Sequence, residues 1–244
     1  MRLPVLPAAA LFCIASSPAL CQTAPPADPS TQPHKTWELG RRAANSLTKQ
    51  DGGIDDPRIL PYVQQLADRM SSAAGAAAVR IQLTRTGKQY AALLPNRELV
   101  LSGGLLLRME DEATLAGLIA HELAHDHVCV LDPLRAEPVS PALRDHEYHA
   151  TTLAIVTLKA AGYDPTSLLG LLSKLAYEHP EWAKAIVPED LQQLRMQLEN
   201  DAEPPGGYRL DSSDFVKAHS ALVSMLPNIE APALRPVLRD TRQK

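Results

Sequence analysis

Apolar residues recur at helical three- and four-residue spacing along most of this chain and at strand spacing in one stretch near its middle. Residues 36–50 and 57–74 carry the helical period. The second of these opens on Asp56-Pro57, a capping side chain followed by a proline suited to a first turn. Between 79 and 101 the period shortens. Val79 to Thr84 alternates apolar with polar, and Gln89–Leu94 and Glu98–Ser102 follow the turn residues Gly87 and Pro95-Asn96. This predicts two or three short strands in an antiparallel sheet. From Asp111 to about Leu131 the helical period returns with apolar positions nearly all the way round, the mark of a buried helix. Asp132-Pro133 ends it. Ser140-Pro141 then supplies a cap and a first-turn proline for a helix that runs to Ala161 and stops at Gly162. Asp164-Pro165 opens another, to about Glu178, and further helices are expected at 188–200 and 212–226. The fold class implied is α+β, predominantly helical with a small sheet.

Composition refines this picture without altering it. A chain of 244 residues is long enough for one substantial domain. With aromatics at 4%, Leu, Ala, Val and Ile must build most of the core. The net charge of −4, with no Lys/Arg run, excludes a nucleic-acid partner. Met1-Arg2, the apolar run Leu3–Ile14 and the small residues that follow read as a secretory signal peptide over residues 1–21. Residues 22–35, rich in Pro and Thr, read as a disordered linker, 36–226 as one domain, and 227–244 as a loosely ordered tail. No later stretch approaches the roughly 20 apolar residues of a membrane span, so the expected location is the periplasm or the exterior. Leu20 stands where a lipoprotein signal would want a small residue before Cys21, which leaves lipid anchoring as the minor alternative. With Cys13 and Cys21 in the leader, Cys129 is a lone thiol among valines, read as a small buried hydrophobe rather than a nucleophile.

The chemistry is concentrated in His121-Glu122-Leu123-Ala124-His125 on the buried helix. Side chains four apart on a helix point the same way, so both imidazoles can reach one zinc ion at about 2.0–2.1 Å. Glu122 lies about 100° further round, placed to take a proton from a water at the metal without binding the metal itself. A charged glutamate inside an apolar helix is costly alone, and a cation supplies its partner. Two histidines need a third protein ligand, and the next helix offers Asp145, His146, Glu147 and His149. Leu143, Ala150, Ala154, Leu158 and Ala161 fall within about 60° of Glu147, while Asp145, His149, Thr152 and Lys159 gather on the far side. Glu147 is therefore the expected third ligand, with His146 second.

These motifs, in this order, resemble the gluzincin metallopeptidases that include the CAAX prenyl protease, HtpX and BepA, in their periplasmic soluble form. The resemblance runs from about Leu94 to Pro180. Glu98–His125 is similar to the family's strand, Gly-Leu-Leu turn and HExxH helix; Arg144–Ala150 resembles its R-x-x-E-x-x-A-D segment; residues 161–165 match the break that follows. The resemblance implies a zincin-like domain holding one zinc ion per chain through His121, His125 and Glu147, with Glu122 catalytic. It implies a protein or peptide substrate, envelope partners and a role in protein quality control, with a strand around Glu98–Ser102 holding an extended substrate by backbone pairing. His179-Pro180 resembles a pair in periplasmic members, where the histidine approaches the zinc and regulates it. The family's aspartate is Thr151 here, on the Glu147 stripe, where it would back the ligands; Asn96-Arg97 replaces a Gly-Gly and Tyr90 an Asn. The Thr151 departure supports an alternative, a non-catalytic zinc-binding relative acting as a chaperone or assembly factor.

Overall fold

The computed structural model describes residues 32–125, 141–180 and 182–229. The signal peptide, Cys129, the cap at Ser140 and the tail from 230 onward lie outside the described residues.

The chain opens with helix α1, Gln32–Asp51, which begins inside the stretch expected to be linker. Helix α2, Leu60–Ala73, follows. Its start is three residues later than Pro57 suggested. The Asp56 carboxylate takes the Arg58 amide at 2.8 Å, and the Asp56 carbonyl takes the Ile59 and Leu60 amides at 3.0 Å, so 57–59 form a turn ahead of the helix. Pro61, not Pro57, occupies the first helical turn, where no amide is needed.

Three strands come next: β1, Arg80–Thr84; β2, Ala91–Leu93; and β3, Glu98–Ser102. Their order is β1-β3-β2. β2 and β3 form the expected antiparallel hairpin, with Ala92 opposite Val100, closed by a turn in which Arg97 takes a positive φ of 60°. β1, however, runs parallel to β3, with Gln82 opposite Val100, so the sheet is mixed rather than antiparallel. The connector after β1 carries the chain past the middle position, and β3 turns back to fill it. This placement corrects the substrate-strand expectation. All five residues of β3 are buried and both its edges are paired, so Glu98–Ser102 has no edge to offer. Among the described residues the free edge on this side is that of β2.

The sheet divides two apolar layers. Tyr90, Ala92, Leu94 and Val100 pack with Ala44 of α1, while Ile81, Leu83, Ala91, Leu99 and Leu101 face the main core. That core is built on α4, Glu112–His125, which follows the short helix α3, Gly103–Leu106. Every residue of α4 is buried, as its all-round apolar pattern requires. It packs against α2, β2, α5 (Pro141–Ala161) and α6 (Thr166–Glu178). Gly162, at φ 77°, ends α5. A 3-10 turn at Trp182–Lys184, α7 (Pro188–Glu199) and α8 (Ser213–Met225) complete the described chain. The protein is α+β and mostly helical.

Gly117, one turn before His121, sets how closely α4 and α6 approach. A Cβ there would lie 2.8 Å from Leu168 Cβ and 3.3 Å from Leu168 Cα, too close for backbone-anchored atoms to yield cheaply. Gly117→Val is therefore expected to destabilise the fold by about 2–3 kcal/mol, since overpacking forces helices apart. A urea midpoint equal to that of the wild type would show that α6 can retreat at no cost.

Candidate metal centre

α4 presents His121 and His125 one turn apart on the face that meets α5, and α5 brings Glu147 to them. The inward stripe of α5 is as its periodicity predicted: Ala150, Ala154 and Leu158 are fully buried, and Glu147 is 2% exposed among them. Asp145 and His149 are exposed. His121 Nε2 lies 3.1 Å from Glu147 Oε2 and 3.2 Å from His125 Nε2, and His125 Nε2 lies 3.8 Å from the same carboxylate oxygen. The rings of the two histidines meet edge to face, with centroids 4.8 Å apart. Among the described residues these three form the one group of His, Cys, Asp and Glu side chains whose donor atoms converge closely enough to hold a metal ion.

The separations fit zinc. A point equidistant from three atoms so spaced, in their plane, lies about 2.0 Å from each, the length of a zinc–imidazole or zinc–carboxylate bond. Two imidazoles and one carboxylate are also the donor set of catalytic sites that keep a fourth position open. The electrostatics agree. Burial pushes the His125 imidazole down to about 4, against the pull of Glu147, leaving it neutral at pH 7. Burial also works on His121, but the Glu147 carboxylate, bonded to it, more than offsets the effect and raises it. A buried imidazole and carboxylate at 3.1 Å must share a proton or a cation, so metal binding here displaces a proton.

Glu122 is 3% exposed beside this group. Burial pushes its carboxyl up to about 7, and its Oε1 has no hydrogen-bond partner among the described residues. Thr151 Oγ1 stands behind His121, 3.4 Å from Nδ1, on the side away from Glu147 Oε2. Were Nε2 to hold a metal, Nδ1 would carry the proton and the hydroxyl would be placed to accept it. His146, the second candidate for third ligand, lies outside the converging set; its ring stacks on that of His125 with centroids 5.7 Å apart. His179 caps the end of α6 and stacks on Trp182 at 4.0 Å, also outside the converging set.

Comparison with known proteins bears on the same stretch. Residues 57–130 match the family model of peptidase family M48. The M48 match spans less than a third of the chain, from the turn before α2 through the sheet and α4, and takes in His121, Glu122 and His125. It ends before α5, so the convergence of Glu147 on the two histidines is a separate observation. No curated protein matches the chain. The match supports a metallopeptidase, and M48 peptidases in general depend on zinc. Among the described residues no helix is long and apolar enough to cross a membrane.

One feature escaped the sequence reading: β2 lies at the sheet edge, which is fixed by long-range pairing and not by local pattern.

Proposed function

We propose that the protein is a zinc-dependent metalloendopeptidase, exported to the periplasm or the exterior, that hydrolyses peptide bonds of envelope or secreted proteins, in keeping with quality control. The observation that carries this reading is the convergence of His121, His125 and Glu147 on one point. These three would hold one zinc ion, whose chemistry when bound is Lewis acidity toward a carbonyl oxygen and toward water.

The chain's own residues supply the remainder. β2 offers its outward edge to an extended substrate backbone, which recognises peptide by its main chain and tolerates many side chains. Ala91 and Leu93 point their amides and carbonyls away from β3, because Tyr90, Ala92 and Leu94 occupy the paired positions of the ladder. Glu122 accepts the proton of the attacking water and delivers it to the departing amine. Its carboxyl, held by burial near neutrality, suits both tasks. The export of the chain is supported by the pattern of residues 1–21.

The test uses purified full-length protein and unfolded casein. Wild type is expected to carry about one zinc per chain and to cleave, while Glu122→Gln keeps the zinc and loses at least about 100-fold in kcat, within the usual worth of a general acid–base group. A zinc-loaded wild type that cleaves nothing would favour the second reading, a metal-stabilised chaperone or assembly factor. The observation on its side is that Thr151 supports His121 only at 3.4 Å, a long contact for a ligand's partner.

A further inference from the structure

β2 is a short strand, Ala91–Leu93, paired on one side, and such an edge opens readily unless something else holds it. α1 holds it along its length. Gly40, Ala44, Leu47 and Asp51 recur at four-, three- and four-residue steps, so they share one face of the helix. That face spans about 16 Å, close to the length of the strand with its flanking residues. At the hairpin tip, a Cβ on Gly40 would lie 2.7 Å from Asn96 Oδ1 and 2.8 Å from Asn96 N, so glycine is what lets the turn come this near. In the middle, Ala44 is fully buried and packs with Ala92 and Leu94 on the sheet face opposite the main core. At the start, the Tyr90 hydroxyl donates to Asp51 Oδ2 at 3.0 Å, which leaves the Thr84 hydroxyl, 2.7 Å away, to donate to the phenol oxygen. Lys88 Nζ lies 3.2 Å from Asp51 Oδ1, so both oxygens of a carboxylate only 7% exposed hold the approach to β2. α1 ends before the residues that match the M48 model begin.

We propose that α1 is a clamp on the free edge of β2, locked by the Tyr90–Asp51 hydrogen bond, and that it sets how well an extended peptide binds there. The substrate half of this rests on the peptidase reading; the clamp itself does not. A peptide that adds to a sheet edge binds best where the edge groups are already in line, because ordering them at the moment of binding subtracts from affinity. A strand pinned at both ends and packed in the middle is ordered beforehand. Gly40, Asp51 and Tyr90 are thus positioning residues, acting on substrate through Ala91 and Leu93, and none of them belongs to the group that could hold the metal.

The test loosens the clamp at either end, with Tyr90→Phe at the start of the strand and Gly40→Val at the hairpin tip. Its first readout needs neither metal nor catalysis. In the 15N-labelled full chain in EDTA, the Leu94 amide, which donates to the Glu98 carbonyl at 2.8 Å, reports opening of the β2–β3 ladder. It is expected to exchange at least about tenfold faster in each variant, while the amides of Leu118 and Ile119 in α4 stay within about twofold of wild type. Asp51→Asn keeps an acceptor for the hydroxyl and is expected to stay within about threefold at Leu94. Unchanged exchange at Leu94, or equal acceleration in β2 and α4, overturns the proposal, the second because it shows a loss of overall stability and no local clamp. The second readout uses zinc-loaded protein and a casein-derived peptide. KM is expected to rise at least about threefold in Tyr90→Phe, with kcat within about twofold and zinc content unchanged. A fall in kcat at constant KM would overturn the substrate half. If Gly40→Val fails to fold, Tyr90→Phe decides alone. Wild type without zinc or without cleavage would sink the peptidase reading and the substrate half with it, and the exchange readout would still decide the clamp.

Discussion

Glu147→Ala is expected to leave the purified chain with less than about one-tenth of the zinc that wild type retains after dialysis, a loss of at least about 100-fold in affinity. Losing a residue that merely orients a ligand costs about 10–100-fold, and Glu147 would supply one of the three donor atoms itself. Two imidazoles alone leave the ion half-coordinated by water. The variant also separates loss of the metal from loss of the fold. Glu147 is a carboxylate at 2% exposure, whose desolvation opposes folding when no cation accompanies it. Metal-free Glu147→Ala should therefore melt within a few degrees of metal-free wild type, while the zinc-dependent rise in melting temperature seen for wild type disappears. Elemental analysis beside a melt in EDTA reads both. Zinc at wild-type stoichiometry in the variant would remove Glu147 from the site and return His146 to consideration.

What the sequence disclosed follows the range of the forces involved. Helix ends were visible wherever a local signal marks them: Gly162 with its positive φ after α5, Pro188 in the first turn of α7, and Ser212, whose hydroxyl accepts the Phe215 amide at the start of α8. HExxH spacing places His121 and His125 on one face because helical periodicity is itself local. The stripe of α5 singled out Glu147 for the same reason. The sheet order was not legible. Strands β1, β2 and β3 are similar in pattern, and nothing in their residues states which takes the middle, since that depends on pairings across the chain. The same blindness hid the β2 edge. Asp56-Pro57 misled by a smaller margin, because a proline that suits a first helical turn also suits the turn before it. The start of α1 at Gln32 was hidden by Pro29 and Pro33, which lend the stretch the look of a linker.

Glu112→Ala is expected to destabilise the fold by about 3–5 kcal/mol without touching His121, His125 or Glu147, because it would strip the shared acceptor from a set of buried and part-buried donors. Glu112 begins α4 and is 2% exposed. Its carboxylate accepts the Tyr62 hydroxyl at 2.9 Å, the Tyr163 hydroxyl at 2.5 Å and the Ser212 hydroxyl, and Arg69 lies at 3.4 Å. One side chain thus ties α2, the break after α5 and the entry to α8 to the start of the metal helix. Burial and the Glu112 charge both raise the Tyr62 phenol, and burial followed by the Glu112 hydrogen bond raises Tyr163, so each remains a donor at any ordinary pH. Around it the amides of the first turn find acceptors outside the helix. Asp111 Oδ1 accepts the Thr114 amide at 2.7 Å, and the Leu210 carbonyl accepts the Ala113 amide at 2.9 Å. Alanine would leave the buried Tyr163 phenol and the part-buried Tyr62 and Ser212 hydroxyls without this acceptor, each costing about 1–3 kcal/mol unless water enters. Arg69 and Arg209 are half-exposed and would turn to solvent, so their loss adds little. Glu112→Gln keeps one acceptor oxygen and is expected to cost less than half as much. In melts followed by circular dichroism in EDTA, which keeps zinc linkage out of the comparison, alanine should lower the midpoint by about 10 °C. A midpoint within about 2 °C of wild type would mean that the start of α4 is held by its backbone contact to Leu210 and the Asp111 cap alone.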